Sequence, residues 1–138
     1  MPTYDPDTLR RLLTDCKTIA VVGISSDPVK PSHYVPHYLQ RHGYRIIPVN
    51  PRYHEVLGET CYPSLEAIPF PVDMVNVFRR AEDCPPVAAA AAAIHPQVLW
   101  LQLGIASEEA RRIAEAAGMT VVMDKCIKVE HARLGVEG

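Results

Sequence analysis

The stretch Ile19-Ala20-Val21-Val22-Gly23-Ile24-Ser25-Ser26 decides the interpretation of this chain. Its apolar half predicts a buried strand, and the glycine and small hydroxyl residues that follow predict a tight turn. Lys30 comes shortly afterwards, and a helical pattern begins near Ser32. A strand, a glycine turn and a helix N-terminus in this order typically place a phosphate on backbone N–H groups. The stretch therefore favours a protein that binds a nucleotide-like ligand.

Apolar runs alternate with helical patterns along the rest of the chain. The five runs show little polar alternation, as is typical of parallel strands buried on both faces; they cover residues 19–23, 44–49, 73–78, 98–104 and 119–124. The helices are predicted over residues 7–16, 32–42, 85–95 and 107–117. The proline-containing segment 50–72 is predicted to be a long connection with one helical turn near residues 64–67.

This alternation predicts an α/β fold: a Rossmann-like, doubly wound parallel five-stranded sheet with right-handed crossovers. We expect the strand order 3-2-1-4-5, which places the ligand beyond the carboxyl ends of the strands, near the switch point between strands 1 and 4. Residues 1–138 are expected to form one domain, in which residues 1–16 supply an N-terminal helix that covers the sheet. Pro36 is expected in or beside the first turn of its helix, where a missing N–H does least harm.

Composition argues against several classes of function. The formal net charge is −2 and 48% of the residues are hydrophobic, which describes a globular protein without the basic field that nucleic acid requires. The first residues do not have the pattern of a secretory signal, and no apolar run reaches membrane-spanning length. We expect a cytoplasmic protein that binds neither nucleic acid nor a membrane.

Cysteine and histidine spacing predicts no metal site. His33 and His37 lie four residues apart on a predicted helix but have neither the glutamate of H-E-x-x-H nor an evident third ligand. The cysteines are scattered without a C-x-x-C pair and are expected to be free thiols; they are Cys16, Cys61, Cys84 and Cys126.

The ends of strands 1 and 2 carry candidate binding residues. Strand 1 ends in Gly23 alone, where G-x-G-x-x-G has three glycines, so a simple tight turn explains it as well as a phosphate loop does. Strand 2 ends in Asn50-Pro51-Arg52, where a typical NAD site carries an acidic residue for the ribose. A cation there suits a phosphorylated ribose, as in NADP or coenzyme A (CoA), although a solvated loop arginine remains an alternative.

The ends of strands 3, 4 and 5 add further candidates. Of Arg79 and Arg80, one is expected to face the ligand and the other the solvent, because neighbours on an extended chain point to opposite sides. Gly104 either lets a ligand approach the backbone or serves an ordinary turn. Cys126 follows an aspartate and a lysine, but the sequence places no histidine beside it as the base that a nucleophile needs.

Longer motifs, in order across residues 17–134, carry a family resemblance. The chain resembles the small single-domain CoA-binding proteins of bacteria, whose fold is like the CoA-binding N-terminal domain of the succinyl-CoA synthetase alpha subunit. The motifs lie at residues 20–25, 42–51, 58–65, 77–80, 99–104 and 122–126.

The resemblance implies CoA or acyl-CoA as the ligand and assigns roles to the strand ends. Gly23-Ile24-Ser25-Ser26 would hold the pyrophosphate, with Lys30 as a phosphate cation. Asn50-Pro51-Arg52 would border the adenosine and its 3′-phosphate, Phe78-Arg79 would line the adenine or ribose, and Leu103-Gly104 would face the pantetheine chain. A synthetase would continue into a second domain with a phosphorylated histidine, so acyl-CoA synthesis by this chain alone is not expected.

Three functions remain open. The first is a CoA or acyl-CoA binding protein that is non-catalytic on its own, works as a monomer or homodimer, and can serve an unidentified protein partner. The second is an NADP-dependent oxidoreductase, although no Tyr-x-x-x-Lys or similar acid pair is evident. The third is a CoA-linked redox or acyl regulator in which Cys126 meets the CoA thiol.

Overall fold

Helices and strands alternate over residues 4–136, the part of the chain that the structure, a computed structural model, describes. Residues 1–3 of the predicted N-terminal segment and residues 137–138 lie outside the described residues. The helices are α1 (Pro6–Asp15), α2 (Pro31–Arg41), α3 (Cys84–Ile94), α4 (Glu108–Ala116) and α5 (Ile127–Leu134). The strands are β1 (Thr18–Val22), β2 (Arg45–Val49), β3 (Glu55–Val56), β4 (Glu59–Thr60), β5 (Met74–Val77), β6 (Val98–Leu101) and β7 (Thr120–Val122).

The five longer apolar runs form one parallel sheet in the order β2-β1-β5-β6-β7. This confirms the predicted Rossmann-like α/β fold. The long connection after β2 contains a small antiparallel hairpin of β3 and β4, which the sequence analysis did not anticipate. The helical turn predicted near residues 64–67 is a 3-10 turn at Leu65–Ala67.

The predicted strand order 3-2-1-4-5 is wrong, because β2 lies at the edge of the sheet and the third parallel strand, β5, pairs with β1. The order counted along the chain is thus 2-1-3-4-5. The Pro48 carbonyl accepts from the Tyr62 N–H at the outer edge of β2, 3.0 Å away. In a strand, the backbone nitrogen and carbonyl of one residue point to the same side. The nitrogen of Pro48 therefore also faces the outer edge of β2, where it has no hydrogen to donate. Such a strand suits an edge position, and only a short bridge to Tyr62 forms there.

Helices cover both faces of the sheet. On one face α1, α2 and α5 pack on the side chains of β1, β5 and β6, with Leu13, Leu39, Ile127 and Trp100 all at most 1% exposed. On the other face, Ala88 and Ala91 of α3 and Ala110 and Ala114 of α4 pack on Ala20, Val75 and Leu99. The alanine run of α3 therefore serves close packing on the sheet. Burying each large aliphatic side chain stabilises the fold by about 1.5–3 kcal/mol.

Helix α5 was not predicted from the sequence. Its buried face consists of Ile127, Glu130, His131 and Leu134, so two polar residues stand where the helical period would otherwise show apolar ones. Burial of those polar residues hides the pattern that identifies amphipathic helices. None of the helices of residues 4–136 is long and apolar enough to cross a bilayer.

Pro36 lies deeper in α2 than the sequence analysis expected: it is the sixth residue of the helix, beyond the first turn. A proline there cannot donate to the carbonyl four residues earlier, which belongs to Ser32. That carbonyl instead accepts from the N–H of Ser25, 3.1 Å away. The missing helical bond is therefore replaced by one that ties the loop after β1 to α2.

Candidate functional site

The loops after β1 and β5 meet where the strand order reverses. The switch point lies between the first and third parallel strands, not between the first and fourth as predicted. Gly23 has φ +85°, and a Cβ there would overlap the Phe78 carbonyl oxygen and lie 3.4 Å from Cδ of Arg79. Because both the conformation and the space exclude a side chain, the position requires glycine.

The loop after β1 is anchored from its inner side. Besides its bond to Ser32, Ser25 accepts at its carbonyl from Nδ1 of His33, 2.8 Å away, and at Oγ from the Asp27 N–H, 3.0 Å away. Ser25 is 8% exposed, whereas Ser26 and Lys30 are exposed. Ser25 therefore shapes the loop, and Ser26 and Lys30 are the members that face solvent. The sequence predicts no metal site at His33 and His37 and gives no role to His33; in the structure Nδ1 of His33 bonds the loop.

Asn50 connects this loop to the end of β2. Its Nδ2 donates to the Ile24 carbonyl and its Oδ1 accepts from the Arg52 N–H, both at 2.9 Å. The residue is buried, with both side-chain groups already bonded to the backbone. Asn50 thus positions two loops against each other, while Pro51 and Arg52 remain exposed.

Tyr53 was missed by sequence reasoning. Hydrogen bonds from the Ser26 side chain and backbone and from the Ser25 side chain lower the pKa of Tyr53. Its hydroxyl therefore faces the donors at the tip of the loop after β1. Its position one residue beyond Asn50-Pro51-Arg52 was the available signal.

A cavity of about 500 Å³ opens beside Phe78, at the carboxyl ends of β5 and β6. Leu103, 70% exposed, is part of its wall although it is a large apolar side chain. Lys30, Arg79 and Arg80 supply cations at the same cavity. Its other lining residues are Pro31, Ser32, Tyr34, Val35, Gln102, Ile105 and Cys126.

A second cavity, of about 300 Å³, lies at the ends of β1 and β2. Arg79 lines both cavities, so the two lie on either side of this side chain. Pro51 is the other predicted residue in the smaller one; the remaining walls are Val22, Val49, Pro63, Ser64, Leu65, Glu66, Pro86, Val87 and Ala90. The segment 63–66 was not predicted to lie at the site, because it comes from the connection after the hairpin.

The two adjacent arginines differ in burial and in ion pairing, although both line the larger cavity. Arg80 is exposed, and its Nε pairs with Glu82 at 3.1 Å and Asp83 at 3.3 Å. Arg79 is half-buried and makes no ion pair among residues 4–136. Arg79 is therefore the cation left available between the two cavities.

The predicted residues are not all brought to these cavities. Phe78 lies with Leu103 in the larger one rather than with Pro51 in the smaller one. Gly104 lines neither; its N–H donates to Asp124 Oδ1 at 2.6 Å, and a Cβ there would meet nothing within 4 Å. Open space on the Cβ side of Gly104 fits an ordinary turn and fits equally a ligand that passes over the backbone.

A buried polar pair lies beneath the larger cavity. Gln102 donates through Nε2 to Asn76 Oδ1 and accepts at Oε1 from the Ile127 N–H, 3.1 Å away. Asn76 is fully buried, and its Nδ2 has no partner among the described residues. A polar residue in an otherwise apolar strand was the signal that sequence reasoning overlooked.

The four cysteines fall into two groups. Burial raises the pKa of Cys16 to about 12 and that of Cys84 to about 11, and it also raises the pKa of Cys61. Cys126 is only half-buried and lines the larger cavity. It is thus the thiol that a ligand in that cavity would meet.

Comparison with known proteins gives the family. The CoA binding domain family matches residues 17–132. The uncharacterized protein YneT of Bacillus subtilis is 46% identical over 124 residues, which is 90% of this chain and 92% of YneT. A solved structure from Thermus thermophilus, cell-free ID.343, is 42% identical in sequence and has a TM-score of 0.91. The match covers 95% of this chain and 99% of that structure.

A much larger enzyme also shares part of the sequence. The ADP-forming acetate–CoA ligase II of Archaeoglobus fulgidus is 37% identical over 75 residues, which is 53% of this chain but only 11% of the ligase. The match to the ligase is therefore confined to a small part of that enzyme. The family match covers most of the present sequence, and this chain belongs to the CoA binding domain family.

Proposed function

We propose that this protein binds CoA or acyl-CoA and is non-catalytic on its own. The observation that carries the proposal is the pair of cavities that flank Arg79, next to the glycine turn at Gly23. CoA has a matching layout: adenosine at one end, a charged pyrophosphate in the middle and a long, less polar pantetheine chain at the other end.

The pyrophosphate fits the centre of this arrangement. The pyrophosphate would lie against the exposed Ser26 at the tip of the loop after β1, with Lys30 and Arg79 as cations nearby. Tyr53 supports this placement: the Ser26 side chain and backbone and the Ser25 side chain lower its pKa, as polar groups of an anion-binding loop would.

The chemistry of the two cavities indicates where each end of the ligand would lie. The larger cavity, with exposed Leu103 and with Phe78, suits the pantetheine chain. The smaller cavity, between Pro51 and the 63–66 segment, suits the adenosine. Arg52 is exposed next to Pro51 and is placed to meet the 3′-phosphate.

A binding role is favoured over catalysis by what lines the larger cavity. Neither a histidine nor a carboxylate is among its lining residues, although these groups carry most proton transfers in enzymes. An NADP-dependent oxidoreductase would have to use Tyr34, Lys30 or Cys126 as its general acid, since these lining residues could supply a proton.

Calorimetric titration with CoA, dephospho-CoA, NADP and NAD at fixed salt tests the proposal. CoA is expected to bind, and dephospho-CoA to bind more weakly by about 1.5–3 kcal/mol, the scale of a lost charged hydrogen bond. Binding of NADP without CoA would establish the oxidoreductase instead. If none of the four binds, the phosphate-loop interpretation is wrong.

The position of Cys126 supports a second candidate, an acyl regulator. In the larger cavity its sulfur would meet the thioester of a bound acyl-CoA. Its thiolate would attack the thioester carbonyl, the acyl group would pass to Cys126, and the released CoA thiolate would take up the proton that Cys126 lost. Intact-mass measurement after incubation with acetyl-CoA tests this: an acetyl adduct on the wild type that Cys126→Ser abolishes supports it, and an unchanged mass excludes it.

A further inference from the structure

A third cavity, of about 370 Å³, lies between α2 and α5, away from the smaller cavity beside Pro51. Positions 34, 37, 38 and 41 of α2 line it, and this spacing places them on one face of the helix. His42, at the end of α2, and Lys128 of α5 complete the lining. The walls thus combine aromatic rings with basic side chains and contain no carboxylate: they are Tyr34, His37, Tyr38, Arg41, His42 and Lys128.

The cations of this cavity are not neutralised by the protein. Arg41 and Lys128 form no ion pair within residues 4–136. The Lys128 ammonium lies 5.2 Å from the ring centroid of Tyr34 and 5.4 Å from that of Tyr38. Aromatic faces attract a cation but leave its charge in place. The cavity therefore has a positive potential that a negative ligand would offset.

Favourable interactions with the helix dipoles explain only some of the basic residues that line this cavity. Arg41 and His42 lie at the C-terminal end of α2, where the helix dipole favours cations. Lys128 is the second residue of α5, where the dipole disfavours a cation. An anion that binds in this cavity would explain why a lysine occupies this position.

The sequence concentrates positive charge around this helix. Residues 28–54 contain none of the 16 acidic residues of the chain and four of its 14 lysines and arginines. The protein as a whole has a net charge of −2, so this segment differs sharply from the rest. Its potential would draw small anions towards α2.

The walls are held in place before any ligand arrives. The Tyr38 hydroxyl is paired with Nδ1 of buried His131 at 2.8 Å. The His42 ring stacks on Tyr38 with centroids 4.0 Å apart, and its Nδ1 donates to the Tyr38 carbonyl at 2.7 Å. Tyr38 and His42 therefore form a fixed wall, which lowers the cost of ordering side chains around a ligand.

We propose that this cavity is a second binding site, one that takes the oxyanion group of a small molecule, either a phosphate or a carboxylate. Its volume is in the range of small-molecule pockets, which favours a small ligand over a protein surface. Arg41 and Lys128 supply the charge, and His37 and His42 supply further nitrogens. Tyr34 lines both this cavity and the 500 Å³ one, so the oxyanion would lie across that ring from the larger cavity.

Titration of the full chain with inorganic phosphate or succinate, followed by amide and side-chain NMR shifts at constant ionic strength, tests the site. Saturable shifts are expected at residues 34–42 and at Lys128. Arg41→Gln and Lys128→Gln are each expected to weaken the binding roughly tenfold. The matched control is Arg112→Gln, an exposed arginine of α4 on the opposite face of the sheet, which should leave the affinity unchanged.

Saturation by phosphate alone assigns a phosphate group, and saturation by succinate alone assigns a carboxylate. Shifts that do not saturate with either anion, or that both substitutions leave unchanged in proteins with wild-type spectra elsewhere, would overturn the proposal. The test is independent of CoA: binding at the loop after β1 would shift Ser25 and Ser26 and would be insensitive to Arg41→Gln. The experiments can therefore reject either binding site without rejecting the other.

Discussion

Gly23 and Gly104 follow β1 and β6 with the same backbone angle, φ +85°, yet their surroundings differ completely. A Cβ on Gly23 would overlap the neighbouring strand end at Phe78, whereas a Cβ on Gly104 would meet open space. Both turns require the left-handed conformation, but only the first also requires an absent side chain. The difference separates a glycine on which a neighbouring strand end packs from a glycine that faces open space, although the sequence shows only a glycine after a strand in both cases.

The largest effect is expected from Gly23→Ala. The added methyl combines left-handed strain with an overlap against a backbone carbonyl that cannot move independently, so the free energy of unfolding should fall by about 2–5 kcal/mol. Urea unfolding followed by circular dichroism measures this. A loss below about 1 kcal/mol would mean that the loop relaxes freely and that Gly23 and Gly104 are equivalent.

The next effect concerns the cation above Gly23. Arg79→Gln is expected to weaken CoA binding about 10- to 100-fold, since Arg79 lines both cavities and has no carboxylate partner among the described residues. Calorimetry of CoA binding measures the loss.

Arg112→Gln is the matched control for Arg79, since it removes the same group at an exposed position of α4 that lines neither cavity. Its removal should change CoA affinity less than about twofold. Equal losses in both variants would show a general charge effect and would remove the special position of Arg79.

Gly104→Ala is expected to cost about 1 kcal/mol of unfolding free energy, from left-handed strain alone. CoA affinity should stay within about twofold of wild type, because Gly104 lines neither cavity of the cleft and a methyl there meets nothing. The same urea and calorimetric measurements apply. A marked loss of CoA affinity would show that the ligand chain passes over Gly104.

The sequence was informative where burial alone dictates a pattern. The five parallel strands are buried on both faces, so their apolar runs identified them. The apolar runs do not indicate the strand order; Pro48, which suits an edge strand, was the available signal for it. The helix α5 was hidden because Glu130 and His131 lie on its buried face. The candidate site divides in the same way. Gly23 and Arg79 directly follow strands and could be named as candidates from the sequence, whereas Tyr53 and the 63–66 segment reach the candidate site through the path of a long connection.

The smallest effect tests how the loop after β1 is held. Pro36→Ala restores an N–H in α2 that would compete with the Ser25 N–H for the Ser32 carbonyl. The Ser25 amide should then exchange with solvent several-fold faster, while the Gly104 amide, bonded to Asp124, keeps its rate. Hydrogen exchange followed by NMR compares the two amides in one sample. An unchanged Ser25 rate would show that His33 and Asn50 hold the loop without the proline, and the difference between the two turns would then rest on Gly23 alone.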